Sequence, residues 1–325
     1  MSESRDLLVA TAEKLFAAPD LTWAQIAEAG FPLLLTPEAD GGFGGDFGDA
    51  FAVLRLAGFH AVAQPLAETL TAAAAANAAG LPAVKAIETF ALKVDGRIED
   101  GRFSGRLAGA PWGAAADSLL FALDGAVWRI ATSDAEAIHT TANPAGEPRC
   151  EIVFDQAPVQ QGDGVDLLAL AAFARTAQMA GALDAALDQS VAYANDRVQF
   201  GRPIGKFQAV QQSLAVFAEE AAAVNAAGQA AARALDRGDS GLEIAAAKFI
   251  ANRAADVGAA TAHQVHGAIG FTAEYPLHPF TRRMVSWRSE CGSDAFWAER
   301  LGRQAAAIGA DVLWATLARR SDPVA

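Results

Sequence analysis

The feature that most restricts what this chain can become is a set of long alanine-rich segments running from about residue 165 to its end. Four of them, roughly 165–196, 205–236, 241–267 and 292–320, are each long enough for a helix of several turns. Alanine favours helix and lets backbones approach closely, so the pattern predicts a four-helix bundle. Ser240, followed three residues on by Glu243, reads as a capping box ahead of the third segment.

The residues before the bundle have two textures. Up to about residue 85 the spacing is helical: Leu8, Ala12, Leu15 and Phe16 recur on one face. Thr22 and Gln25 suit a capping box, Leu21 and Ile26 a hydrophobic staple, and Gly30 a helix end. The stretch FPLLLTPEADGGFGGDFGDAF then gives a glycine-rich loop leading into a helix across Ala50–Ala57, without the GxxxxGK[ST] pattern of a triphosphate cradle. Between about 88 and 157 come short runs, ETFALKV, GRFSGRLAG, SLLFALDG, AVWRIAT and CEIVFD, punctuated by Asp-Gly. Their length and their aromatic and β-branched content predict a small antiparallel sheet. The expected fold is therefore mainly α with a β middle domain: an N-terminal helical domain over 1–86, a middle β domain over 87–160, and a C-terminal four-helix bundle over 161–325.

Composition closes off several functions. With 52% hydrophobic and 19% charged residues there is ample core material, and a net charge of −13 lacks the basic footprint of a nucleic-acid binder. The mean hydropathy of +0.18 is explained by helices buried on more than one face, because stretches such as LTAAAAANAAGL are too short and too weakly apolar to span a bilayer. No membrane association is expected. The N-terminus lacks the basic end and apolar run of a signal peptide, and Cys150 and Cys291 are too few for a disulfide framework or zinc site, so a cytoplasmic location is expected.

Two segments carry candidate chemistry. Arg197-Val-Gln-Phe-Gly-Arg-Pro-Ile-Gly-Lys-Phe-Gln208 offers guanidinium forks, aromatic rings and amides at a helix start, groups that suit a phosphate and a stacked base. It equally suits a plain helix corner with Arg197 as a solvated charge. Gln264-Val-His-Gly-Ala-Ile-Gly270-Phe-Thr-Ala-Glu-Tyr-Pro276 places Gly267 and Gly270 at a helix end, where a bare backbone admits a ligand or simply caps the helix. His263 and His266 lack the partners of a metal set, and the paired Glu-x-x-His ligands of a metal-binding bundle are missing, so no metal is expected. No GxSxG nucleophile is present. Glu290, between Trp287 and Cys291, can act as a base against an apolar wall, pair with Arg288, or cap the last helix.

In this order and at this distance, the two segments resemble motifs of the acyl-CoA dehydrogenase family. The first is similar to RxxFGxxIxxFQ and the second to QxxGGxGF followed by Tyr-Pro, with Ala268 in place of the second glycine. The Pro-Glu-x-x-Gly-Gly-x-Gly core after GFPLLLT is similar too, so the resemblance covers nearly the whole chain. It implies FAD as cofactor and oxidation of an acyl-CoA thioester to the 2-enoyl-CoA, a carboxylate taking the α proton while hydride passes to flavin N5. By the same resemblance Arg197 meets the pyrophosphate, Phe200 packs by the adenine, Gly201 makes the turn and Gln208 hydrogen-bonds the cofactor. Gln264, Gly267 and Gly270 contact its adenosine side. Electron-transfer flavoprotein is the implied electron acceptor, and a neighbouring subunit is implied because these groups reach its flavin.

The departures matter for the base. Counting from Tyr275 puts Cys291 where many members carry the glutamate, leaving Glu290 one place early as the candidate catalytic residue. The other family position for a base falls on Ala171 or Ala172. The segments that line the flavin ring are not recognisable, and Trp112 is displaced from its expected place. Two arrangements follow: a dehydrogenase acting as a homo-oligomer or with a paired subunit, or a non-catalytic or half-site subunit in a heteromer with a second, similar chain.

Overall fold

The computed structural model describes residues 3–321. Met1, Ser2 and residues 322–325, at the outer ends of the first and third expected domains, lie outside the described residues. The chain opens with α1 (Glu3–Phe16), α2 (Trp23–Glu28), α3 (Phe47–Phe59) and α4 (Leu66–Ala78). The Thr22–Gln25 capping box forms at α2, and Asp46 with Asp49 makes a second one at α3. Gly30 follows α2 with φ +80.

Seven strands come next: β1 (Glu88–Ala91), β2 (Lys93–Glu99), β3 (Arg102–Pro111), β4 (Ser118–Leu123), β5 (Ala126–Ala131), β6 (Ala137–Ala142) and β7 (Pro148–Gly162). The sheet order is β1-β4-β5-β7-β3-β2, with β6 also on β7, and every pair is antiparallel except the parallel β1–β4. The run ETFALKV, expected as one strand, divides at Leu92 because its two halves pair with different partners, β4 and β3. Strand β6 was not anticipated from its exposed, largely polar sequence.

The remaining helices are α5 (Leu167–Asp196), α6 (Gln208–Asp236), α7 (Gly241–His266), α8 (His278–Trp287), α9 (Asp294–Ile308) and α10 (Ala310–Ser321), with a small hairpin of β8 (Val198–Gln199) and β9 (Arg202–Pro203) between α5 and α6. The expected last helix is broken at Gly309, whose φ of +87 ends α9. The Ser240 box does not form: Ser240 makes no side-chain cap, and Glu243 instead binds Arg320 of α10.

Helix α5 is the axis of the molecule. It is buried along most of its length and packs on α3, α4, α6, α7 and α8. One apolar cluster joins α1 and α3 to α5, α6, α7, α8 and α9, while a separate aromatic cluster of Phe103, Phe121 and Phe154 fills the sheet. Small residues set the helix spacing, as the sequence predicts. Where α3 crosses α5, a β carbon on Gly58 would run into the Gln178 carbonyl and one on Gly181 into that of Arg55. This packing brings the ends of β1, β3 and β7 against α5 and the connection between α8 and α9.

Candidate functional site

The two sequence segments meet in space. Helix α5 stops at Asp196, the chain turns extended at Arg197, and β8–β9 folds back over a two-residue turn formed by Phe200 and Gly201. Both turn residues have positive φ, +50 and +80, as a tight hairpin matched to strand twist requires. Glycine does this freely, whereas Phe200 does so at a conformational cost, and Phe200 is 92% exposed. Phe207 lies edge-on to Phe200, with the Arg202 guanidinium over its face at 4.2 Å. Helix α6 begins without a side-chain cap, so its first amides point outward unclaimed by any side chain.

Across from this corner, α7 ends at Gly267, whose φ of +65 turns the chain and whose missing side chain leaves open space. The cleft between, about 530 Å³, is lined by Arg197, Phe200, Phe207, Gln264 and Gly267 among others. Gly201 shapes its rim, Gln208 is exposed at the first residue of α6, and Gly270 is buried beneath His266; these three do not themselves line it. His266 stacks on Tyr193 with centroids 4.5 Å apart, and His263 stacks on Phe271 at 4.0 Å. Burial pushes both imidazoles below their ordinary pKa, so both are neutral at pH 7. His266 Nδ1 donates to the Ala262 carbonyl at 2.8 Å, which makes this ring a packed base of the cleft. Among the described residues no group of three or more His, Cys, Asp or Glu could hold a metal ion, and no helix is long and apolar enough to cross a membrane.

A second cavity, about 450 Å³, opens where the sheet meets α5. Glu290 and Cys291 lie in its wall, facing Gly109 and Pro111 of β3 and Arg149 of β7. Glu290 neither pairs with Arg288, which binds Asp256, nor caps α9, which Ser293 caps. Its carboxylate accepts two hydrogen bonds from Arg149 Nη2, at 2.7 and 2.8 Å, and one from Asn143 at 2.9 Å, with Arg175 Nη2 at 3.3 Å. Burial alone would raise its pKa, but the Arg175 and Arg149 charges and these hydrogen bonds outweigh that and hold it below the usual carboxylate range.

The cage extends further. Arg175 also binds Glu68 of α4 at 3.0 Å and Gln178 at 2.6 Å, and lies over the Trp287 ring at 5.0 Å. Glu147 accepts from Arg149, Arg283, Asn143 and the Trp287 indole; burial opposes its ionisation, and the Arg175 and Arg283 charges overcome it. A six-member alternation of Glu68, Arg175, Glu290, Arg149, Glu147 and Arg283 thus ties α4, α5, β7, α8 and the α8–α9 connection together. Sequence reasoning missed Arg149 and Arg175. A usable signal existed for Arg175: a lone cation inside the otherwise apolar LLALAAFARTAQMAGAL must be paired where it is buried.

The family model for the acyl-CoA dehydrogenase C-terminal domain matches residues 165–306. The chain is 30% identical over 266 residues to acyl-CoA dehydrogenase IpdE2 of Mycobacterium tuberculosis, covering 80% of this chain and 79% of that protein. It is 32% identical over 296 residues to acyl-CoA dehydrogenase FadE34 of the same organism, covering 86% of this chain but only 41% of FadE34. Among solved structures, one of the ChsE4-ChsE5 complex from Mycobacterium tuberculosis superposes with TM-score 0.87 at 25% identity, covering 95% of this chain and 99% of that one.

Proposed function

Because the chain belongs to the acyl-CoA dehydrogenase family, we propose that it serves the FAD-dependent α,β-dehydrogenation of an acyl-CoA thioester. The observation that carries this reading is the 530 Å³ cleft, which gathers Arg197, Phe200, Gln264 and Gly267 from two distant segments into one polar and aromatic surface. Those groups fit a dinucleotide. Arg197 supplies a fork for pyrophosphate oxygens, Phe200 a ring for the adenine, Gln264 an amide, and Gly267 a backbone that a ligand can approach. Gly201 holds the turn, Gln208 lies within reach of the same corner, and Gly270, beneath His266, leaves the room that this ring needs at the base of the cleft.

The chemistry that FAD would supply when held by these residues is that of a hydride acceptor for the β carbon. The chain's own part is to take the α proton, and Glu290 is the carboxylate in the cavity wall able to accept it on an Oε atom. Its ionised state at neutral pH is the required one. The same guanidiniums weaken it as a base, at about 1.4 kcal/mol for each pKa unit, so the thioester must acidify the α carbon for the transfer to proceed.

A second reading rests on the arginine cage itself. A carboxylate bound by Arg149 and Arg175 is well suited to be a structural strut, and a structural neighbour is a complex of two named chains. In that reading the chain is a half-site partner whose cleft completes a flavin site on another subunit.

The visible absorption spectrum of the purified chain separates the two. A yellow protein bleached by an acyl-CoA supports the enzyme, and Glu290→Gln should stay yellow yet no longer bleach. Unchanged bleaching in that variant removes Glu290 from the role. A chain that is colourless alone and yellow only with a second subunit supports the half-site partner.

A further inference from the structure

Helix α7 carries a lysine that the proposed chemistry does not use. Lys248 is 0% exposed and does not line the cavity, so it meets neither solvent nor a bound substrate. A buried ammonium is among the most expensive groups a core can hold, and it persists only where all its donors are used. Here they are used. Nζ donates to Asn252 Oδ1, to the Trp287 carbonyl at 3.1 Å and to the Arg288 carbonyl at 3.5 Å.

The acceptors share one location. Trp287 and Arg288 end α8 and begin the connection to α9, where helix carbonyls lose their intrahelical partners. Asn252, one helical turn beyond Lys248, donates to the Gly292 carbonyl at 3.2 Å, and the Trp297 indole donates to that of Cys291 at 2.9 Å. Four carbonyls of a six-residue stretch are thus held from beneath by buried side chains of α7 and α9. The stretch needs this support, because Cys291 has φ +55 and is followed by Gly292 at φ +102. Left-handed backbone at a residue with a side chain is costly and survives only where its surroundings over-determine it. With the backbone pinned from below, the Glu290 side chain is left to project into the cavity.

We propose that Lys248 and Asn252 are positioning residues: from α7 they clamp the carbonyls of Trp287, Arg288 and Gly292, and so fix the loop that presents Glu290 to the cavity. The charged and titratable groups around the ammonium are Cys291 and Glu290 of the loop, Arg175 of α5 and Asp294 of α9. The role of the loop in turnover rests on the dehydrogenase reading; the clamp itself does not.

The experiment is hydrogen–deuterium exchange on the full chain, comparing wild type with Lys248→Met and Asn252→Ala. Exchange of amides in residues 287–293 should rise at least tenfold in each variant while those of α5 and of the sheet stay within twofold. No rise, or a rise shared equally by α5 and the sheet, overturns the clamp. Where Lys248→Met fails to fold, Asn252→Ala, which removes the smaller donor, decides by the same criterion. If the wild type turns over an acyl-CoA, kcat in Asn252→Ala should fall about tenfold with KM and flavin content within twofold. Local exchange that rises in a chain that binds no flavin sustains the clamp and counts against the dehydrogenase reading alone.

Discussion

Arg149 shows what a single side chain contributes here, because one guanidinium serves two carboxylates, Glu147 and Glu290. Both are held below the ordinary carboxylate range in the fold. Each therefore adds stability that is complete above the unfolded-state pKa of about 4.3 and is lost as pH falls through the folded value. Replacing Arg149 by Met leaves two buried carboxylates short of a partner. At pH 7 the loss should be about 3 kcal/mol, at the low end for a broken buried pair because Arg175 and Arg283 remain. The acid-induced loss of stability should become shallower, since the two carboxylates would then titrate nearer to their unfolded values. Urea denaturation at pH 7 and pH 4 checks both, and equal acid slopes in wild type and variant would refute the coupling. The two segments that meet at the first cleft were legible in the sequence because each is contiguous and has fixed spacing. The cage was not, because its members come from α4, α5, β7, α8 and a loop, and nothing local in Glu147 or Arg149 names its partner.

Among the elements, the crossing of α3 over α5 is the most demanding, with Gly58 and Gly181 each lying against the other helix's backbone. Alanine is the better helix former, so on an exposed helix the change from glycine gains up to about 1 kcal/mol. At Gly181 the added carbon meets a carbonyl that cannot move without its helix, and overpacking of this kind costs about 1–3 kcal/mol. Gly181→Ala should therefore lower the melting temperature by several degrees, while Gly302→Ala, exposed on α9 with nothing within 4 Å, should leave it unchanged or raise it slightly. A Gly181→Ala protein as stable as wild type would mean that the helices slide apart at little cost. The alanine-rich texture made these helices readable, and with them the order of helices, sheet and helices. What it did not show was the break at Gly309 or the separate helix α8. A glycine inside a long apolar pattern reads as tolerated, and α8 is a ten-residue piece whose neighbours in sequence are turns. The Ser240 box failed for a comparable reason: its Glu243 is drawn away by Arg320, a tertiary partner 77 positions distant.

Over the whole molecule, a charge of −13 has to coexist, under the proposed function, with a ligand that carries phosphates. The chain manages this by placing its cations unevenly. Arg197 and Arg202 stand at the cleft, whereas Arg149, Arg175 and Arg283 are spent on internal carboxylates. No residue lines both the cleft and the second cavity, so one chain presents two separate surfaces, and under the proposed function a dinucleotide seated in the cleft reaches the flavin site of a neighbouring subunit. The stoichiometry then follows from which surfaces are used. A homo-oligomer that uses both should carry one FAD per chain, and a heteromer in which this chain lends only its cleft should carry one FAD per two chains. Arg197→Ala, on the exposed rim of the cleft, removes a charged fork worth about 1.5–3 kcal/mol and should weaken flavin retention at least tenfold in either case. Flavin absorbance per chain, set against the mass in solution, gives the ratio, and equilibrium dialysis gives the affinity. If Arg197→Ala retained flavin as tightly as wild type, the cleft would not be the dinucleotide seat, and both arrangements would fall together.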